Sequence, residues 1–471
     1  MQIIKRSGFR IAATVTLSLV FFAACQHQPE VAKVAEVAEV TAQGSGGINA
    51  SHQQDKPYLV LISLDAFRWD YIDRYPTPNI DRLAAAGSRA ERLLPVFPTL
   101  TFPNHYSIAT GLYPANHGLV ANDFPDPARD KWYSLKNRDA VEDRWFYAGE
   151  PVWVTAETQG MVAASFFFVG TEAPIMGVSP SHWRSFDKKI SGEDRVDQVL
   201  TWLAEPAESR PHLYTLYFEN VDDKAHWYGP DSAENIEAIS QVDGYLGRLL
   251  NGIEKLQHAD NVNIILVSDH GQAAYLEDPQ AFTLNEYVNL DDITVVEGGA
   301  YLFLHFDKDD PTRARDIVDT VNRHWNHGRA YLPADAPEQW HVDSNPRYPD
   351  VILMPETGFA VLSTAEKINK ITAGDHGWAP EAPEMHGIFI AGGPNIKPGI
   401  SLGPINSVDV YPLMLSILGL DAPDVIDGDI CKLARIFRPT DNKMIRPGFS
   451  SELYKCFQPV TWFPEKQNRN Q

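Results

Sequence analysis

Basic charge is what this 471-residue sequence lacks: 40 Lys and Arg stand against 62 Asp and Glu, a net charge of -22. Such a balance opposes broad electrostatic binding to nucleic-acid polymers or anionic lipid. Any phosphate the protein handles must be neutralised locally. A long N-terminal apolar run is also missing, because the stretch from Ile11 to Ala24 falls short of the roughly 20 residues of a comfortable membrane span. Cysteine is scarce, at 3 residues. With Cys25 set aside, Cys431 and Cys456 remain, either as a disulfide or as two buried thiols. Core material is plentiful: 44 % of residues are hydrophobic and 11 % aromatic, which excludes a disordered chain. At this length it implies one large domain with an insertion, or two domains.

Lys5, Arg6 and Arg10 precede the Ile11 to Ala24 stretch, which ends in small residues before Cys25. That is the pattern of a signal peptide over residues 1–25. Ala23-Ala24-Cys25 fits the lipoprotein type, in which Cys25 becomes the lipidated first residue. Phe22 departs from the aliphatic residue usual there, and ordinary cleavage nearby is the alternative. The expectation is an exported bacterial protein, periplasmic or membrane-anchored, that touches the membrane only through an N-terminal lipid. Residues 26–55 are polar, with a Val-Ala-x repeat from Val31 to Val40 and then Gly44-Ser45-Gly46-Gly47. Such a stretch cannot bury enough surface to fold alone and reads as a flexible tether.

Runs rich in Val, Ile, Leu and aromatics predict buried strands at Tyr58 to Leu64, Ala163 to Val169, Leu213 to Phe218, Val262 to Ser268 and Gly387 to Ala391. Helical patterns lie between them. The clearest runs from Ala233 to Leu256, with Ile236, Ile239, Val242, Leu246, Leu249 and Ile253 at spacings of three and four. The alternation implies an α/β fold with a mostly parallel central sheet flanked by helices. The segment 274–372 carries its own strands and helices, including Ala300 to Phe306 and Pro311 to His324, and reads as a smaller inserted α+β cap. Residues 56–273 and 373–440 then form the catalytic domain, and 441–471 a C-terminal tail.

In parallel sheets, ligands bind beyond the carboxyl ends of the strands. The first predicted strand ends at Asp65, the third runs into Asp222, and the fourth ends at Asp269-His270-Gly271. Three carboxylates therefore converge on one edge. Asp222 and His226, one helical turn apart, can face one point, and His376 sits in a loop between glycines and acids. Thr101 precedes Pro103, which suits a first helical turn. Taken alone, Thr101 reads as a helix cap. A hydroxyl at a helix N-terminus also faces free N–H groups, where a phosphate is favoured. Three Asp, three His and one Thr together match two sites of oxygen and nitrogen ligands suited to zinc. Two such ions clamp the attacking and leaving oxygens of a displacement at phosphorus and activate an otherwise weak hydroxyl nucleophile.

At this point the sequence resembles the nucleotide pyrophosphatase/phosphodiesterase family of the alkaline phosphatase superfamily. The matching segments are Leu64 to Arg68, Phe97 to Tyr106, Thr110 to Pro114 with His117-Gly118, Asp222 to Pro230, Ser268 to Gly271, Gly374 to Trp378 and Ile388 to Pro394. The resemblance implies an alkaline-phosphatase-like core and two divalent metal ions, taken as Zn2+. One would be held by Asp222, His226 and His376, the other by Asp65, Thr101, Asp269 and His270. It further implies that Asn122 donates to a phosphate oxygen, that Thr101 attacks the diester, and that water hydrolyses the phospho-threonine. Ala66 stands where the family often has Gly, and Leu100 where it often has Lys. Neither departure removes a ligand; both bear on substrate preference.

Phe102 and Phe186 resemble the family's pair of aromatics around a nucleobase, with a core position as the alternative for Phe186. The expected substrate is a small nucleotide or other phosphodiester, cleaved to a nucleoside monophosphate. Alternatives are a choline- or glycerol-type phosphodiesterase, in which aromatics surround a quaternary ammonium, a phosphomonoesterase, and a non-enzymatic metal- or ligand-binding surface lipoprotein.

Overall fold

The apolar runs become strands of one eight-stranded sheet. In chain order these are β1 (Tyr58–Leu64), β2 (Ser88–Ala90), β3 (Ala163–Phe166), β4 (His182–Arg184), β5 (Leu213–Phe218), β6 (Val262–Val267), β7 (Phe389–Gly392) and β8 (Ser401–Leu402). The computed structural model describes residues 46–276, 281–308, 310–342, 345–438 and Cys456. The expected signal peptide, the expected lipidation at Cys25, residues 26–45 of the expected tether and all of the expected tail except Cys456 lie outside the described residues.

Across the sheet the order is β8-β2-β7-β6-β1-β5-β3-β4. β1 pairs in parallel with both β5 and β6, and β3 with β5 and β4. β7 runs antiparallel to β6 and β2, and β8 parallel to β2. β1 is buried along its whole length, as a parallel strand covered on both faces must be. Its side chains alternate between two cores: Leu59 and Leu61 enter one, Val60, Ile62 and Leu64 the other.

β1 and β5 match the predicted limits. The strand predicted from Ala163 to Val169 stops at Phe166 because Phe167 adopts a left-handed φ of 64°, which strand geometry does not admit. The last predicted strand exists, shifted to Phe389–Gly392, and is the antiparallel member.

Three helices matter for the site: α1 (Thr101–Thr110), α2 (Asn220–Tyr228) and α3 (Ala233–Ile253). α3 starts where the Ser232 hydroxyl accepts the Asn235 N–H at 3.1 Å, a side-chain cap on an otherwise orphan donor. Ile239, Val242, Leu246, Leu249 and Ile253 then line its core-facing stripe. It ends three residues before Leu256.

Within the segment read as an insertion, Ile293–Glu297, Leu302–Phe306, Val351–Pro355 and Gly328–Tyr331 form an antiparallel sheet backed by the helix Pro311–His324. It has its own core, built on Leu302, Leu304, Ile317, Val321, Trp325 and Leu353. Its neck closes where Ala273–Ala274 pairs antiparallel with Gly374–Asp375. It meets the main sheet's domain through a Phe97–Trp340 stack at 4.3 Å and through Arg347. The Arg347 guanidinium donates to the carbonyls of Gly118 and Phe146 and to Asp126.

One boundary differs from expectation. The tether expected over residues 26–55 ends sooner, because Asn49 and Gln53 are buried. Asn49 donates to the Arg210 carbonyl at 2.7 Å and accepts the Val162 N–H at 2.8 Å, so the folded body begins there. Of the two cysteine alternatives the disulfide is realised, between Cys431 and Cys456.

Candidate active site

The carboxyl ends of the central strands carry the chemistry. Asp65 follows β1 directly, Asp269 and His270 follow β6, and Asp222 lies in the first turn of α2 after β5. Asp65, Asp269 and His270 form one group, and Asp222, His226 and His376 a second; within each, the ligand-type atoms lie within 4.8 Å of one another. The rings of His270 and His376 stack at 3.9 Å, so the groups adjoin.

In the first group, His270 Nε2 lies 3.0 Å from Asp269 Oδ2 and 3.6 Å from Asp65 Oδ1. In the second, Asp222 Oδ1 lies 3.3 Å from His226 Nε2 and 3.7 Å from His376 Nε2. Thr101 Oγ1 is 3.3 Å from His270 Nε2. The cap reading of Thr101 fails here: Leu100, in extended geometry, is the N-cap, and Thr101 is the first helical residue. Its hydroxyl is therefore directed at the ligand groups.

Several features fit cations at these positions. Asp65 Oδ1, Asp222 Oδ1 and Asp269 Oδ2 are buried and find no well-formed hydrogen bond among the described residues, a costly state for a carboxylate unless a cation meets it. All three histidines commit Nδ1 to a backbone carbonyl: His226 to Gly374 at 2.9 Å, His270 to Gly271 at 2.9 Å and His376 to Thr99 at 2.8 Å. That commits Nδ1 as a donor and turns each Nε2 towards the carboxylates and the Thr101 hydroxyl, the usual outer support of a metal-ligating imidazole. The groups also perturb one another's ionisation. Burial, then the neighbouring Asp269 and Asp222, push the Asp65 carboxyl well above its usual range. Burial also acts on Asp222, but His226 and His376 outweigh it and hold the carboxyl at about 2. His376 is driven down to about 3 by burial and by the adjacent His270. Burial works against a charged His226, but Asp222 beside it prevails and pushes the imidazole up to about 10, so the buried carboxylates and imidazoles set one another's ionisation.

Asn122 accepts the Phe102 backbone N–H at 3.0 Å through Oδ1. This leaves its amide nitrogen as the donor, beside the first turn of α1. Phe102 packs against Tyr133 at 6.1 Å. Phe186 is 38 % exposed, which removes the core alternative for it. Its ring meets Phe167 at 5.1 Å and Tyr217 at 6.1 Å, not Phe102.

Three supporting residues had no role assigned from sequence. Tyr217 donates to Asp65 Oδ2 at 2.5 Å, but an aromatic within an apolar strand reads as core. Asp375 accepts the His376 N–H at 2.9 Å and the Tyr275 hydroxyl at 2.8 Å; its position next to His376 was the available signal. His105, inside the threonine segment, is fully buried beside Asp269.

Comparison with known proteins agrees with this geometry. Residues 59–379 match the family model described as type I phosphodiesterase / nucleotide pyrophosphatase. The chain is 31 % identical over 374 residues to human ectonucleotide pyrophosphatase/phosphodiesterase family member 5, covering 79 % of this chain and 76 % of that protein. It is likewise 31 % identical to the Xenopus laevis bis(5'-adenosyl)-triphosphatase enpp4, covering 77 % and 78 %. With human family member 1 the identity is 33 %, but the chain spans only 40 % of that protein's length. Among solved structures, murine family member 5, as an inactive threonine-to-alanine variant in complex with AMP, superposes with a TM-score of 0.76 at 28 % identity. That match covers 82 % of this chain and all of that one.

The fold and its strand-end site define a hydrolase built on the alkaline-phosphatase-like α/β core. Within that class, this chain belongs to the type I phosphodiesterase / nucleotide pyrophosphatase family, as its motifs implied.

Proposed function

We propose that the protein hydrolyses phosphodiester or phosphoanhydride bonds of small nucleotides, releasing nucleoside monophosphates through a phospho-threonine on Thr101. The observation that carries this reading is the Thr101 hydroxyl, 3.3 Å from His270 Nε2 where the two ligand groups meet. The inactive threonine variant of murine member 5 and its AMP ligand support the same reading. So does the bis(5'-adenosyl)-triphosphatase relative.

Asp222, His226 and His376 would hold one divalent cation, and Asp65, Asp269, His270 and Thr101 a second. The mix of imidazole and carboxylate suits zinc. When bound, such ions supply positive charge that lowers the pKa of the hydroxyl and offsets charge on the phosphoryl oxygens. Thr101 Oγ forms the bond to phosphorus as the bond to the departing alcohol or nucleotide oxygen breaks. The hydroxyl proton is lost, and the leaving oxygen takes up one from solvent. One water then attacks phosphorus, and Thr101 regains its hydroxyl as the monophosphate departs. The amide nitrogen of Asn122 donates to a non-bridging oxygen, and the N-terminus of α1 favours the phosphoryl charge. Phe102 and the exposed Phe186 offer apolar faces for the base, a contact worth about 1–3 kcal/mol per stacked base.

Export belongs to the same proposal. The Cys431–Cys456 disulfide supports an oxidising compartment, and we read residues 1–25 as the signal that delivers the chain there.

The deciding experiment is Thr101→Ala assayed on ATP, a diadenosine polyphosphate and a choline diester. Loss of at least about 10³-fold in kcat on the nucleotides is expected, the scale seen when a nucleophile is removed. Unchanged turnover would sink the nucleophile assignment, and preference for the choline diester would move the substrate away from nucleotides.

A further inference from the structure

We propose that His105, held by Ser63, is a positioning residue that fixes the nucleophile relative to the more buried ligand group. The inference rests on the reading of Thr101 and of Asp65, Asp269 and His270 given above. His105 lies one helical turn after Thr101 on α1 and is fully buried. Its Nδ1 is 2.9 Å from the Thr101 carbonyl oxygen and 3.1 Å from Asp269 Oδ2. Its Nε2 is 2.9 Å from the hydroxyl of Ser63, the penultimate residue of β1, just before the stretch that delivers Asp65.

This arrangement determines the tautomer. Two acceptors, a carbonyl and a carboxylate, face Nδ1, so Nδ1 carries the proton and Nε2 accepts from the Ser63 hydroxyl. The well-formed hydrogen bond goes to the Thr101 carbonyl. Asp269 Oδ2 is close enough to be held by the same N–H, yet makes no well-formed hydrogen bond to it. The carboxylate is thus oriented without being consumed. The ring itself cannot tilt freely, because Phe168 and Tyr217 stand edge-on to it, each at 5.2 Å. Tyr217 in turn binds Asp65. One imidazole therefore ties together the nucleophile's backbone, one carboxylate of the group and the strand that carries the other. Errors of about 1 Å in such a constellation cost up to about 10²-fold in rate.

The ring's two nitrogens make the idea testable, because Asn places an amide nitrogen near Nδ1 and Gln places one near Nε2. Full-length protein and its His105→Asn, His105→Gln, His105→Ala and Ser63→Ala variants are compared in two assays. One is steady-state turnover of a nucleotide diester with metal loaded. The other is metal affinity of stripped protein, measured by competition with a chromophoric chelator. His105→Gln and His105→Ala are expected to lower kcat about 10- to 100-fold with KM within about threefold, and to weaken one metal equivalent by about 10- to 100-fold. His105→Asn should restore most of both losses. Ser63→Ala, which keeps the ring and tests the strut without emptying the core, should shift both readouts in the same direction by about 3- to 10-fold.

Variants that lose thermal stability while their folded fraction keeps parental kcat and metal affinity would overturn the proposal. So would better rescue by Gln than by Asn. An active Thr101→Ala variant would sink the nucleophile reading while leaving the metal-affinity readout for His105 standing, so the two claims fail separately.

Discussion

The two ligand groups are built from the same residue types and differ in what holds them. In the first, the side chains of Asp65, Asp269 and His270 are 2 %, 0 % and 0 % exposed. Both of its carboxylates emerge from adjacent central strands, β1 and β6. In the second, Asp222, His226 and His376 are 16 %, 24 % and 8 % exposed. Its residues come from the first and last turns of a nine-residue helix and from a loop at the neck of the insertion. Two-sided burial in a parallel sheet makes the first group rigid. The second depends on how the insertion is seated, since Tyr275 at the insertion's start binds Asp375 beside His376.

The largest consequence is expected in metal release. Under excess chelator, one equivalent should leave at least about tenfold faster than the other, because solvent and chelator reach the second group directly while the first is enclosed. The assay is stopped-flow chelation of the metal-loaded protein. In a His226→Ala variant the fast phase should disappear and the slow phase remain. A single phase in the parent, or loss of the slow phase in that variant, would break the distinction between the groups.

A smaller effect sharpens the comparison, because a tyrosine donates to a carboxylate within the first group and another to a carboxylate beside the second. Tyr217→Phe strips the one hydroxyl donor found among the described residues for Asp65 Oδ2, on a buried carboxylate. It should cost about 1–3 kcal/mol of stability as well as turnover. Tyr275→Phe leaves Asp375 with the His376 N–H and should cost about 1 kcal/mol or less. Urea midpoints of the two variants, measured side by side, decide the order; equal losses would mean that burial is not what separates the groups.

This asymmetry also explains what could be read in advance. Strand-end carboxylates follow from local pattern: the apolar run Tyr58 to Leu64 predicts a strand, and Asp65 must then lie at its rim. The supports of those carboxylates do not follow. Tyr217 looks like any core aromatic until the register sets it beside Ser63. His105 acquires its contacts from β1, the segment after β6 and α1 at once, a coincidence that no local spacing encodes. Phe167 has no side-chain signature for its left-handed φ, so β3 was expected to run too long. Burial of Asn49 likewise depends on carbonyls more than a hundred residues away.

A final contrast sets the ligand histidines, whose Nε2 atoms face the carboxylates and the nucleophile, against a fully buried histidine outside the site, both of whose nitrogens are used. His117 accepts the Leu119 N–H through Nδ1 at 3.2 Å and meets the Ser107 hydroxyl through Nε2 at 2.9 Å. Burial drives its pKa down to about 3, because a second ring proton would have no solvent and would displace the Leu119 donor. The unfolded chain titrates near 6.5. As pH falls through that value the unfolded state gains a proton that the folded state refuses. The stabilising contribution is therefore complete above about pH 6.5 and is lost progressively towards pH 3. Between pH 6.5 and 5 this residue should remove about 2 kcal/mol of stability. Urea unfolding of parent and His117→Gln at matched metal loading across that range tests it. The variant should start less stable but lose stability with acid less steeply, by about one proton, and parallel slopes would show that His117 is not the group being titrated.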